Sequence, residues 1–442
     1  MIESIAALSG LLRQHGAVRI YAKKLSPNDN SKNQVYLGGD FSVLNLIPHG
    51  AVKTDETDHA GSVRDRAKAS VRFFWINEEG LSEAPHTQLI LYPKYPEVRL
   101  SGFLNGCSNA PSEVMRVRDE GRLLFLGITN NGQVLGYAAA PGSRLVKEFL
   151  ALQNLERSGV FFQLPDASGE SSRNLLLAAL TAIYEKQWIA SKKMGRDGVA
   201  HPYSAANGGG YTLEAELGIS PNGYAKPDYL GWEIKQYGVA DFRRFTPRTP
   251  VTLLTPAPNG GVYKDAGFPE FMRRYGYLDK SGIAGRINFG GIYSCSRGAH
   301  ADTGLRMQMT GFDATSGKIT DLNGGIVLLD RRDEVAALWK FTGIIEHWNH
   351  KHAQAAYIPS LFRTPPPEYL YGPRILLCEG TDLLLFLGAL ARGTIFLDPG
   401  LKLVTDPSGV KKQKERHQFR VRHPNLTELY HRWESVDIQL DK

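Results

Sequence analysis

The chain has 442 residues, 42% of them hydrophobic, which is more than one core usually supports and sets an expectation of two domains. Fifty-two Lys and Arg against 45 Asp and Glu give a formal charge of +7, compatible with a polyanionic partner without requiring one. Three widely separated cysteines (Cys107, Cys295, Cys378) with no C-x-x-C argue against a disulfide scaffold or a structural zinc site and fit reduced thiols.

In chain order, MIESIAALSGLLRQ reads as an amphipathic helix with an early acid, so no secretory signal is expected. Residues 1 to about 147 then read mainly as β. QVYLGG, VRFFWI, TQLILY, RLLFLGI and QVLGYAA are short apolar runs separated by Asn, Asp, Gly and Pro, spaced as in a compact barrel or sandwich. RLVKEFLALQNLER closes this part as a helix, and the polar segment Ser158–Ser172 reads as a linker. A helix follows from Arg173 (NLLLAALTAIYEKQW), with Leu and Ala spaced for burial. ANGGGYTLEAELGI (Ala206–Ile219) carries Glu214 one turn past its glycines, and from there helices and strands alternate. The most apolar stretch, DLLLFLGALA (Asp382–Ala391), falls far short of the ~20 residues that span a bilayer. A cytoplasmic protein with no membrane partner is expected.

The stretch KPDYLGWEIKQY (Lys226–Tyr237) carries the chemistry. Successive side chains of a strand alternate between faces, so Glu233 and Lys235 share one face. Asp228, at the end of the preceding strand or turn, is close enough to share a cation with Glu233. Two carboxylates and a lysine around one Mg²⁺ are a minimal device for cutting a phosphodiester: the metal polarises the phosphate and acidifies a bound water, and the lysine orients that water or offsets developing charge. The bland alternative is a β-hairpin with a surface Glu/Lys pair. Basic residues cluster nearby: FRRFTPR (Phe242–Arg248) has three arginines, and KKQKERHQFRVRH (Lys411–His423) has six Lys/Arg against one acid. Such charge supplies the salt-sensitive part of DNA affinity, or is merely a solvated face.

Several ordered blocks resemble the MvaI/BcnI family of restriction endonucleases: GG-x-T-L-E, PD-Y-L-x-W-E-I-K, then TLLTPAP, then RRYGYLD. LRMQMTGFDATSGKITDL (Leu305–Leu322) and HQFRVRHPNLTELY (His417–Tyr430) continue the similarity, which covers roughly Arg173 to Asp441. The resemblance implies an α/β PD-(D/E)xK restriction-endonuclease-like domain with Asp228, Glu233 and Lys235 as the catalytic triplet. Asp228 and Glu233 would hold Mg²⁺, with Glu214 as a helix-borne helper ligand. His417 and Arg420, in the tail the family uses for DNA recognition, would contact bases or phosphates. The resemblance also implies a catalytic unit that acts as a monomer and nicks one strand at a time.

The front part carries a second resemblance. VRIYAKKLSPNDNSKNQVYL (Val18–Leu37) is similar to the start of the EcoRII effector domain, an all-β B3-like pseudobarrel that grips duplex DNA with two loop arms. The arms would be Asn28–Tyr36 and YPKYPEVRLSGF (Tyr92–Phe103). Asn33 and Gln34 suit adenine or cytosine edges, Lys94 and Arg99 suit phosphate or guanine, and Glu97 could accept from cytosine N4. An ordinary charged hairpin would carry Lys94, Glu97 and Arg99 equally well.

Together these imply a multi-domain type IIE-like restriction endonuclease of a prokaryote: residues 1–150 a B3-like effector, 151–172 a linker, 173–442 the catalytic domain. Its partner would be double-stranded DNA, in two copies of the recognition site, one per domain, with a cognate cytosine methyltransferase as genetic partner. EcoRII and MvaI both recognise CCWGG, while BcnI reads CCSGG, so the central base is left open. Two other functions fit the same residues: a DNA-binding protein that does not cut, for which Lys235→Ala would change nothing, and a repair enzyme that nicks one strand at altered base pairs. Elsewhere, EHWNHKH (Glu346–His352) lacks the H-E-x-x-H spacing of a zinc site and reads as a polar helix end. Gly208–Gly210, with no G-K-[ST] following, suit close backbone approach to DNA at a helix N-terminus rather than a nucleotide loop.

Overall fold

The computed structural model describes residues 2–55, 58–59, 62–63, 66–93, 96–165, 171–219, 228–405, 409 and 411–439. The chain divides into two compact units, Met1–Ser171 and Ser172–Lys442. Among the described residues, no helix is long and apolar enough to cross a membrane.

The front unit contains α1 (Ile5–Gln14), β1 (Ala17–Lys24), β2 (Val35–Gly38), β3 (Lys53–Thr54), β4 (Ala67–Ser70), β5 (Arg72–Asn77), β6 (Gly80–Glu83), β7 (Gln88–Tyr92), β8 (Glu97–Ser101), β9 (Leu123–Thr129), β10 (Gln133–Ala139), α2 (Arg144–Ala151), β11 (Arg157–Ser158) and β12 (Phe161–Gln163). One sheet runs β11-β12-β1-β9-β10-β5-β6 and the other β2-β8-β7-β4-β3. Among the described residues of this unit, the strands form these two sheets and a two-stranded pair, Asp58–His59 with Ser62–Val63, and no closed barrel. All five apolar runs singled out in the sequence contribute strands. The segment Ser158–Ser172, read as a linker, instead gives strand β12, whose Phe161 and Phe162 pair against Lys23 and Ala22 of β1. Its V-F-F run is too apolar to stay in water, and Phe161 is fully buried. Ser4 caps α1 by accepting from the Ala7 N–H, and Leu8 and Leu12, one turn apart, bury against Ile20, Phe125 and Phe149.

The second unit is built on α3 (Ser172–Glu185), β13 (Ile189–Ala190), α4 (Gly208–Glu216), β14 (Glu233–Gly238), β15 (Val251–Leu254), α5 (Phe341–His352), β16 (Gln354–Arg363), β17 (Glu368–Tyr371), β18 (Arg374–Glu379), β19 (Ile395–Leu397), β20 (Phe419–Val421) and β21 (Arg432–Asp437). The central sheet runs β13-β17-β16-β18-β21, with β14 parallel to β16 from Glu233↔Ala355 to Gly238↔Ser360. Beneath it, Leu176, Leu180 and Ile183 of α3, at helical spacing, pack with Leu213, Trp232, Ile234, Ile358 and Leu377. Further small antiparallel sheets, such as Arg306–Thr310, Gly325–Leu329 and Val335–Lys340, make this unit richer in strands than the expected alternation of helix and strand. Their strands of five or six residues sit between glycine and aspartate turns, too short for a helical or strand period to stand out.

Candidate active site and nucleic-acid interface

Asp228 and Glu233 are joined by a two-residue hairpin. Tyr229 and Trp232 exchange both backbone hydrogen bonds (2.9 and 2.8 Å), leaving Leu230 and Gly231 as the loop at φ 49° and 91°. Both loop residues at positive φ is the type I′ requirement, which glycine meets without strain. The residues flanking the bonded pair, Asp228 and Glu233, are thereby brought across from one another. Trp232 is fully buried in the core, which fixes the hairpin to the sheet. From there β14 continues, and period-2 alternation returns Lys235 to the Glu233 side: its Nζ lies 2.5 Å from Glu233 Oε1. The Ile234 N–H donates to Asp228 Oδ2 at 2.9 Å and ties the first carboxylate to the strand carrying the second.

The electrostatics follow from this packing. Glu233 is 1% exposed. Burial first, then the charge of Glu233, pushes the Asp228 carboxyl up to about 7, against the pull of the Ile234 N–H and Lys235; Glu214 adds to the rise. Burial opposes charge on Lys235, but the Glu233 carboxylate, joined by Asp228 and Glu214, holds the ammonium above its ordinary value. Three carboxylates therefore act on one another and on one ammonium, and Glu214 is half-buried on α4.

Lys235 and Glu214 line a cleft of about 1010 Å³, together with Gln236, Arg248, the β15 strand and Arg420. Asp228 and Glu233 are not among the lining residues, and Glu233 reaches the cleft wall through its contact with Lys235. Arg420 is gripped on both sides, by Asp398 Oδ2 at 2.6 Å and the Pro250 carbonyl at 2.7 Å, because β20 runs between β15 and β19. Two polar residues on this wall went unnoticed in the sequence. Gln236 bonds Ser360 Oγ at 2.6 Å, and Gln418, which flanks the cleft strand, bonds Thr252 Oγ1 at 3.1 Å.

His417 does not belong to this surface. It is 5% exposed, set edge-on to Tyr263 and Trp339, with Nε2 3.0 Å from the Tyr263 hydroxyl. Burial drives it down to about 4, so it is neutral at physiological pH. Residues 417, 419 and 421 point inward and 418, 420 and 422 outward, so the odd spacing of His417 and Arg420 puts them on opposite faces. His417 thus packs in the interior of this structure, while Arg420 lines the cleft.

The histidines of Glu346–His352 separate too. His347 is exposed at the cleft, whereas His352 is buried with its ring nitrogens facing the Tyr430 hydroxyl and the Leu253 carbonyl. Among the described residues, no group of three or more His, Cys, Asp or Glu has the arrangement of a protein-only metal cage. Two carboxylates suffice for Mg²⁺, which takes its remaining ligands from water and phosphate. Burial and the neighbouring Glu233 charge, which together raise Asp228, would both be offset by a cation, so the donor set fits such an ion. The glycines ahead of Glu214 serve close packing first. A Cβ on Gly208 would meet Ser191 Oγ at 2.6 Å, and one on Gly209 would meet Gln236 at 2.9 Å, while Gly210 faces open space.

In the front unit, Gln34 precedes β2 at the Ser101 end of β8, Glu97 stands at the opposite end of β8, and Arg99 lies between them, opposite Tyr36. Arg99 pairs with Glu97 at 3.0 Å and donates to the Asn33 carbonyl at 3.4 Å. Gln34 stands at φ 70° with its amide 3.5 Å from Ser101 Oγ. Lys94 lies outside the described residues.

The MvaI/BcnI restriction endonuclease family model matches residues 177–430. Among solved structures, the chain is similar to a complex of the restriction endonuclease MvaI with its cognate DNA substrate, at TM-score 0.45 and 18% identity, covering 61% of this chain and 99% of that one. It is also similar to MvaI in the absence of DNA, at TM-score 0.34 and 17% identity, covering 60% and 98%. No curated protein matches the chain significantly.

Proposed function

The chain belongs to the MvaI/BcnI restriction endonuclease family, a match that makes it a type II site-specific deoxyribonuclease, and we propose that Asp228, Glu233 and Lys235 are its cutting centre. The observation carrying this reading is the hairpin that brings Asp228 across from Glu233 while Lys235 bonds Glu233 at the wall of the cleft. Asp228 and Glu233, with Glu214 nearby, would hold Mg²⁺, which when bound polarises the scissile phosphate and acidifies a water. Lys235, kept protonated by Glu233, keeps an ammonium at the cleft wall where it orients the attacking water or offsets charge developing on the phosphate. Arg248 and Arg420 face the same cleft and draw in the DNA backbone.

The whole chain reads as a type IIE enzyme of the UbaLAI type: a B3-like effector in residues 1–150 and a catalytic domain in 173–442. Each would bind one duplex bearing CCWGG, with effector occupancy favouring cleavage. The protein would act as a monomer in the prokaryotic cytoplasm beside a cytosine methyltransferase that protects host sites. Asn33, Gln34, Glu97 and Arg99 are the effector's reading residues in this account. Glu233→Ala and Lys235→Ala test the centre: cleavage should fall by at least a thousandfold while duplex affinity changes less than threefold. Loss of binding in step with cleavage would make both residues structural and overturn the assignment.

A further inference from the structure

The front unit contains a buried charge pair that the proposed reading does not use. Lys23 and Asp29 are each 3% exposed, and their side chains meet at 2.5 Å. The same carboxylate closes the loop between them. Asp29 Oδ2 accepts from the Ser26 N–H at 3.1 Å, and Oδ1 accepts from the Tyr36 N–H at 2.7 Å, so one side chain holds both ends of the segment carrying Asn33 and Gln34. Asn30, 1% exposed, fills the inside of that loop: its Oδ1 accepts from the N–H groups of Lys32 and Asn33, and its amide donates to the Pro27 carbonyl. Arg122, fully buried, braces the base by donating to the carbonyls of Ser26, Val114 and Asp119. A loop meant only to connect two strands has no need of three buried polar anchors, since surface loops satisfy their backbone with water. Anchors of this kind hold exposed groups in one geometry before a ligand arrives, which lowers the ordering cost of binding.

We propose that Lys23 and Asp29 are positioning residues of the front unit, holding residues 26–36 as a pre-formed arm that presents Asn33 and Gln34 to the edges of base pairs in duplex DNA. The inference rests on the reading of Asn33 and Gln34 as DNA contacts. It also gives the K-K-L-S-P-N-D run a physical meaning: its first and last residues are the two ends of one ion pair, and Ser26 within it is bonded to both Asp29 and Arg122.

The test is a titration of the full-length chain with a CCWGG duplex in the absence of divalent metal, counting duplexes bound per chain, with cleavage of a one-site plasmid as the check on the catalytic unit. Two duplexes per chain are expected for the unaltered protein. Lys23→Met and Asp29→Asn should weaken the second duplex about tenfold or more, without changing the first duplex or one-site cleavage. Lys23→Arg, which keeps the charge pair, should restore most of the loss. The salt dependence of the residual second binding should stay the same, because phosphate contacts are untouched. Asn33→Ala and Gln34→Ala separate the two levels. If neither weakens the second duplex, the reading of the arm as a DNA contact fails, and the positioning inference fails with it. If they do weaken it while Lys23→Met and Asp29→Asn bind normally, the reading stands and the positioning inference is overturned. Loss in Lys23→Met without rescue by Lys23→Arg, or a loss that also reaches one-site cleavage, marks a general folding role and likewise overturns it.

Discussion

Asp228→Asn should make the metal-free protein more stable while abolishing cleavage. Asp228 sits at about 7 in the folded chain against 3.8 for an ordinary aspartate, mainly from burial and the charge of Glu233. The sign follows from linkage. A carboxyl whose folded value is raised binds its proton more tightly in the native state, so native stability falls as pH rises from about 4 to about 7, and the full cost persists above that. A rise of about 3 units corresponds to a ceiling of ~4 kcal/mol at pH 8. Residual solvent and counterions lower this, to roughly 1–3 kcal/mol. Asparagine cannot ionise, and its oxygen can still accept from the Ile234 N–H. At ~2–4 °C per kcal/mol for a unit of this size, the thermal midpoint should rise by several degrees at pH 8 in chelator, and by less than half as much at pH 5. Mg²⁺ should raise the midpoint of the unaltered protein and leave the variant unmoved, since a metal bound by the native state stabilises it. A variant less stable at pH 8, or equally stabilised at both pH values, would refute the electrostatic argument.

Other substitutions probe other parts of the structure. Gly231→Ala places a Cβ at φ 91°, costing ~1 kcal/mol or more and disturbing the loop that sets Asp228 across from Glu233; cleavage should fall well beyond the loss of stability, and a full-rate variant would deny the hairpin its role. His417, held at about 4 by burial against 6.5 unfolded, binds fewer protons when folded, so stability is complete above pH 6.5 and is lost as pH falls toward 4, by up to ~3 kcal/mol. His417→Gln should remove most of that acid sensitivity in denaturant titrations at pH 7.5 and pH 5, and DNA affinity at pH 7.5 should stay within threefold; a tenfold loss would return His417 to the interface. Arg248→Ala, at an exposed cleft position, should weaken binding to all sequences alike and reduce the slope of log affinity against log salt by about 1, which binding at four salt concentrations will measure.

Strand alternation alone was enough to put Glu233 and Lys235 on one face, because the E-x-K spacing spans one full period of a strand. The Leu230-Gly231 loop was legible in principle, since an x-Gly pair between two β-forming runs is a hairpin signal, yet only the positive φ values show how Asp228 comes across from Glu233. Pairing His417 with Arg420 ignored the same alternation that served for Glu233 and Lys235: three residues apart in a strand means opposite faces. The strand at Phe161–Gln163 was not legible within the linker segment because an apolar run of three residues between polar flanks is too short to show a strand period. Lys23 and Asp29 could not have been recognised as anchors locally. Charged residues are rarely buried, and the strands that flank Lys23 in its sheet, β9 and β12, lie more than 90 residues away in the chain.

The most direct test of the account is cleavage of unmethylated plasmids carrying no, one or two CCWGG sites, in Mg²⁺ and in chelator, with the ends sequenced. The account predicts Mg²⁺-dependent double-strand ends at CCWGG, faster on the two-site plasmid, and none for Lys235→Ala. DNA bound but left uncut in Mg²⁺, or cutting by Lys235→Ala at the unaltered rate, would contradict the assignment of Asp228, Glu233 and Lys235 as the cutting centre.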